Sequence, residues 1–122
     1  MNKLFITLLL LVGCSSNPIV DNTEQTTQWI FVANEGNFGA SNGSISMINN
    51  NDEVYHIEEV GDVVQSLEVY EDKLIVVINN SNMIKVYDIT EDGLSLPGIE
   101  ISTNNSSPRE LVVVDGKVYF TN

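Results

Sequence analysis

Cysteine, histidine, arginine and tryptophan each occur once in this sequence, as Cys14, His56, Arg109 and Trp29. A single cysteine excludes an intrachain disulfide, and one cysteine with one histidine excludes the Cys/His sets that hold structural zinc. Positive charge is scarce: 5 Lys+Arg stand against 17 Asp+Glu, a formal net of −12. Such a balance argues against electrostatic capture of nucleic acid or anionic headgroups. The acidity is read as a solvated surface rather than as a cation site. Nucleophile-elbow, phosphate-loop and paired-carboxylate patterns are missing, and no triad partners are evident for His56. The run Asp88–Gly93 imitates the opening of an EF-hand calcium loop, but Ile99 occupies the twelfth position, where a bidentate glutamate is required. No metal or cofactor is expected.

Long apolar runs are also lacking, apart from one near the start. Leu4 to Val12, broken only by Thr7 and preceded by Lys3, is too short for the roughly 20 residues of a membrane span and reads as a signal peptide over 1–13. Leu11-Val12-Gly13-Cys14 follows at once and resembles the lipobox of bacterial lipoproteins, in which the cysteine is lipidated and becomes the new N-terminus. The expected product is anchored by lipid on Cys14, because several acyl chains exceed the two signals stable anchoring needs. Loss of Lys3 with the leader leaves four basic groups, a mature net of −13. Ser15 follows the cysteine where an aspartate would favour inner-membrane retention, so an outer-membrane or cell-surface location is expected. Residues 14–28 are rich in Ser, Asn, Thr and Gln, too poor in large apolar groups for a core, and read as a flexible tether.

What remains, 29–122, is built on a repeat. Trp29–Asn34, Lys73–Asn79 and Lys117–Asn122 are short β-rich runs closed by asparagine, the asparagines being 45 and 43 residues apart. Leu67–Lys73 matches Leu111–Lys117 at an offset of 44. Helical periodicity is absent after the leader, so an all-β domain is expected. Ser44–Ile48 alternates, with Ile45 and Met47 on one face. Val54–Glu58, Val64–Tyr70, Leu74–Ile78, Met83–Ile89 and a weaker edge strand over Leu96–Ile101 follow, separated by Asn, Asp and Gly turns. Antiparallel strands with a period in the low forties are the signature of four-stranded β-propeller blades.

The runs Val32-Ala33-Asn34-Glu35-Gly36-Asn37-Phe38-Gly39, Lys85–Asp88 and Ser107-Pro108-Arg109 through Asn122 resemble the YncE-like seven-bladed propeller family. They are most similar to its surface-lipoprotein branch in Bacteroidetes-type bacteria, the domain of unknown function DUF5074. The resemblance implies three strands of a first blade, a whole blade over about 64–102 and two strands of a third, hence an incomplete ring of roughly two blades from the N-terminal part of a longer protein. It also implies that the loops Asn34–Gly43, Glu59–Val63, Asn79–Asn82 and Ser102–Pro108 share one face. Candidate ligand-binding residues there are Asn34, Glu35, Asn37, Phe38, Gln65, Asn79, Asn80 and Arg109. Their amides suit a polar ligand, though Asn and Gly are also what tight turns need. Arg109, with Gln65 one repeat earlier, would clamp an anion or pair with Glu110 or Glu35. Phe38 would stack on a flat ligand or, the reading preferred here, pack inward to hold its loop.

The expected function is ligand or partner binding without catalysis. The family resemblance makes this concrete as capture of a corrinoid-like nutrient for a TonB-dependent transporter. A periplasmic protein-interaction scaffold is the alternative, and a truncated propeller enzyme of lactonase or dehydrogenase type is the third.

Overall fold

The computed structural model describes residues 28–122. The expected signal peptide, Cys14 and the tether as far as residue 27 lie outside the described residues. Those described are all β: β1 (Ile30–Asn34), β2 (Gly43–Ile48), β3 (Val54–Gly61), β4 (Val64–Tyr70), β5 (Lys73–Ile78), β6 (Met83–Thr90), β7 (Gly93–Leu94), β8 (Ile99–Ser102), β9 (Leu111–Val114) and β10 (Lys117–Phe120). Every pairing is antiparallel. The first sheet has the order β1-β2-β3 and the second runs β4-β5-β6, with β7 and β8 both on β6; β9 and β10 form the third. Among the described residues the three sheets do not close into a ring.

Side-chain alternation decides how the sheets meet. Ile45 and Met47 share one face of β2, as their period-2 spacing predicts, and pack with Val60, Val64, Leu74, Val76, Ile78 and Tyr87 in one buried layer between the first two sheets. The opposite face of the second sheet buries Ile75, Val77 and Ile84 against Leu111 and Val113 of the third. β5 therefore supplies side chains to both layers. Its unbroken run Leu74–Ile78 has no polar face because neither side meets water, each residue being at most 5 % exposed.

The hairpin corners fix the repeat period. Tyr70 pairs with Lys73 around Glu71-Asp72, and Val114 pairs with Lys117 around Asp115-Gly116. Both hairpins are thus superposed at an offset of 44, with Glu71 (φ 53°) matching Asp115 (φ 50°). In the first sheet Phe31 and Ala33 occupy the face that Ile75 and Val77 occupy in the second. The asparagine spacing is thereby corrected: Asn34 and Asn122 correspond to Ile78, and Asn79 corresponds to Glu35. A shared residue type at strand ends had disguised a one-residue difference.

Two strand boundaries differ from the sequence reading by more than one residue, and one strand is new. β3 continues through Gly61, which pairs with Gly43 past a bulge, so Glu59–Gly61 belongs to the strand rather than to the loop. The weak strand starts at Ile99 and not Leu96, because Pro97 has no N–H to donate and Gly98 is left-handed (φ 82°). β7 is additional, a two-residue bridge back onto Ile89 and Thr90. A Cβ at Gly98 would lie 2.7 and 2.8 Å from the Tyr87 ring and 3.0 Å from the Val86 carbonyl. Gly98→Ala is expected to cost about 2 kcal/mol in urea unfolding, from φ strain and crowding together.

Tyr87 is 2 % exposed, and burial first, then the Glu100 carboxylate, raises its phenol pKa above the ordinary 10.0. The folded state thus favours the protonated phenol. Its contribution is fully present below pH 10.0 and is lost as pH rises through the raised folded value. Unfolding curves at pH 9 and pH 11 should show an alkaline loss that Tyr87→Phe reduces. An equal loss in both proteins would assign it to other groups.

Candidate functional site

The four polar loops are bound to one another: Asp62 ties three of them, and Asn79 and Asn82 reach the fourth, Ser102–Pro108. Asp62 lies in the connection between β3 and β4 and is 7 % exposed. A carboxylate so far from water requires compensating donors. The Gly39 N–H donates to both its oxygens, at 3.0 and 3.1 Å, and Asn80 Nδ2 donates to Oδ2 at 2.6 Å. The backbone is held too: Asp62 N–H donates to Ser81 Oγ at 2.9 Å, and Asn80 N–H donates to the Asp62 carbonyl at 3.1 Å. Asp62 thus joins the Asn34–Gly43 loop of the first sheet to the Asn79–Asn82 turn of the second.

The same junction carries backbone bonds from one repeat to the next. Val64 N–H donates to the Glu35 carbonyl, and Asn79 N–H donates to the Val63 carbonyl. One repeat on, Asn79 Nδ2 reaches the Ser107 and Pro108 carbonyls, while Ser107 N–H donates to Asn82 Oδ1. Val63 (φ 63°) and Ser107 (φ 47°) stand 44 residues apart in the left-handed region, so the approaches to β4 and β9 share the same backbone reversal. For a β-branched valine that conformation is strained, and it is held by the bonds on either side.

Within the long loop, Asn37 N–H donates to Asn42 Oδ1 at 2.7 Å and Ala40 N–H to the Asn37 carbonyl at 3.0 Å. Gly36 is left-handed, and a Cβ there would lie 2.6 Å from the Gly43 nitrogen. The loop is a built structure whose far end presents Phe38. That ring is 79 % exposed. Inward packing of Phe38 is thereby corrected: the loop is held by Asp62 and by its own turns, and the ring is left to solvent.

The other candidates divide. Asn80 is half-buried in the Asp62 network, and Asn79 is engaged as a tie between sheets. Asn34 Nδ2 is spent on Ser44 and Ser46 Oγ, at 3.1 and 2.9 Å, across the outer face of the first sheet. Glu35 and Asn37 have exposed side chains near the loop. Gln65 is the unpaired residue of a bulge between Val64 and Ser66, and bulges re-aim side chains at strand ends. Arg109 stands 44 residues on, ahead of β9, with its N–H donating to the Thr121 carbonyl. Its side chain is exposed, and neither expected pairing, with Glu110 or Glu35, forms.

Sequence reasoning missed Asp62, treating it as surface acidity, since its donors lie 23 and 18 residues away. It also left His56 alone, whereas Nδ1 lies 3.0 Å from Ser46 Oγ. That pair is exposed on a flat strand face, and Asn34 donates to the same oxygen. Among the described residues no three His, Cys, Asp or Glu gather as a metal site.

Because Phe38 touches little, Phe38→Ala should leave the unfolding midpoint unchanged within about 0.5 kcal/mol. A larger loss in thermal unfolding would mean the ring does hold its loop. No protein-family model matches the chain, and none of the curated proteins compared with it does.

Proposed function

We propose that this chain is the ligand-binding part of a lipid-anchored β-propeller of the YncE-like kind, held at the outer membrane or cell surface through Cys14. It captures a small polar ligand without transforming it. One observation carries the reading: an aromatic ring 79 % exposed on a loop otherwise locked by a buried carboxylate. Exposing a large apolar ring on a rigid support costs hydration free energy that a stacked ligand recovers. The surrounding amides, Gln65 at its bulge and the exposed Arg109 offer hydrogen bonds to its rim. Three antiparallel sheets packed face to face in chain order support the propeller reading, since adjacent blades share apolar layers in this way.

A corrinoid fits this chemistry, being broad, flat and fringed with amides, and a TonB-dependent transporter would receive it. The test is calorimetric titration of cyanocobalamin into the wild-type chain and into Phe38→Ala. Saturable binding weakened about tenfold by the substitution, equivalent to about 1.4 kcal/mol, is expected. Equal affinity in both proteins, or no binding to either, would contradict it. The anchor is tested separately: palmitate labelling in the native host should mark the wild type and not Cys14→Ala.

A further inference from the structure

A concave surface lies between the first two sheets, on residues that neither the Asp62 network nor Phe38 uses. It is a cleft of about 210 Å³ with β3 as one wall and β6, with the connection into β8, as the other. A bulge shapes the β3 wall. Ile57 pairs with Ile45 and Gly61 with Gly43, so Glu58, Glu59 and Val60 stand against Ser44 alone, with Glu59 left-handed (φ 53°). Bulges bend a strand and re-aim its side chains in this way. The buried Val60 and Tyr87 form an apolar floor with Ile57, while Pro97 and the exposed Leu96 form the rim.

One ammonium is set into that floor. Lys85 and Tyr87, two residues apart, share the face of β6 that meets the first sheet. The Lys85 side chain is only 13 % exposed, and its Nζ lies 2.9 Å from Glu100 Oε1 on the neighbouring β8. Glu100 is its only ion-pair partner among the described residues. An ammonium carries three donors, so one carboxylate oxygen leaves the others to be satisfied. Held away from bulk water they need acceptors, and the cleft that Lys85 lines is where an acceptor can approach. Glu58 and Glu59, exposed on the β3 wall, bring carboxylate acceptors to the same opening.

We infer that this cleft binds one neutral sugar ring, a hexopyranose unit of a glycan. Every other class of small molecule leaves part of the lining unmatched. An anion meets the carboxylates of Glu58, Glu59 and Glu100, an organic cation meets the Lys85 ammonium, and an apolar molecule leaves the ammonium donors unpaired. A pyranose offers a C–H face to Ile57, the Tyr87 ring and Leu96. Its rim of hydroxyls accepts from Lys85 and donates to the glutamates. The inference stands on the cleft and is independent of any ligand at Phe38 and of the propeller reading.

The probes are the methyl glycosides of glucose, galactose and mannose, titrated into the full chain with backbone amide NMR shifts as readout. At least one should move the amides of residues 57–60, Lys85 and Tyr87 together and saturably. Lys85→Met keeps the buried stem, leaves Glu100 exposed to water, and should weaken that binding at least about tenfold. Leu96→Ala trims an exposed rim side chain without touching the core and should weaken it about threefold. No shift with any of the glycosides would overturn the inference. So would shifts confined to the Phe38 loop, or binding that Lys85→Met leaves unchanged. Acetate that moves the same amides and binds more tightly than every glycoside would overturn it too, since that would assign the Lys85 ammonium to an anion.

Discussion

Asp62→Ala is expected to lower the unfolding free energy by about 3 kcal/mol, because it deletes the buried charged acceptor of two part-buried bonds, from the Gly39 N–H and from Asn80 Nδ2. The loss should be measured by urea denaturation, and its location by hydrogen exchange. Exchange should accelerate first in Gly36–Ser41 and in Asn79–Asn82, the two segments the carboxylate joins. Asp62→Asn should retain part of the stability, since one oxygen remains for Gly39, while its amide opposes that of Asn80. A variant that unfolds like the wild type would mean that the loop is held by Asn37, Asn42 and its glycines alone.

Leu74→Ala is expected to cost a similar amount, about 3 kcal/mol, for a different reason. Leu74 is 0 % exposed and lies in the layer shared by the first two sheets, against Ile45, Val76 and Tyr87. Truncation removes transfer free energy and leaves a cavity that strands fixed by ladders on both sides cannot close. The corresponding residue one repeat later, Val118, is 39 % exposed, and Val118→Ala should cost under about 1 kcal/mol. The contrast separates burial from position in the repeat. Comparable losses at both sites would show that the third sheet is packed more tightly in solution than its exposed face implies.

Much of the fold was legible because it depends on local pattern. Alternation placed Ile45 and Met47 on one face, the apolar run Leu74–Ile78 marked a strand, and the hairpin repeat at 44 residues announced antiparallel meanders. The asparagines misled because a turn residue marks the end of a strand without fixing its register, whereas a hairpin-closing pair does. β7 was invisible in the sequence, since two residues carry no periodicity. The loop cluster was legible only in outline. Asn, Gly and Ser announce turns, but which side chain is spent within the fold depends on partners far along the chain. Asn34 and Asn79 are consumed structurally, and Asp62 gains its role only when β2 pairing with β3, and β5 pairing with β4, have brought Gly39 and Asn80 to it. Phe38 was read as packing because a lone aromatic in a polar loop usually does; its loop is held instead by Asp62 and its own turns, and the ring stays exposed.

The surface charges contribute less. Lys73 sits between Asp72 and Asp88, which lowers the Asp72 pKa and raises that of Lys73, but all three side chains are substantially exposed. Solvent screens such pairs, and they define the corner of the hairpin more than its stability.

The central claim, that a buried carboxylate clamps the loop presenting Phe38, is tested most directly by the exchange rate of the Gly39 amide in the unliganded wild-type protein. A bond to both Asp62 oxygens predicts exchange at least about a hundredfold slower than in an unstructured peptide, restored to the free rate in Asp62→Ala while β5 amides stay protected. A Gly39 amide that exchanges at the free rate in the wild type would contradict the account.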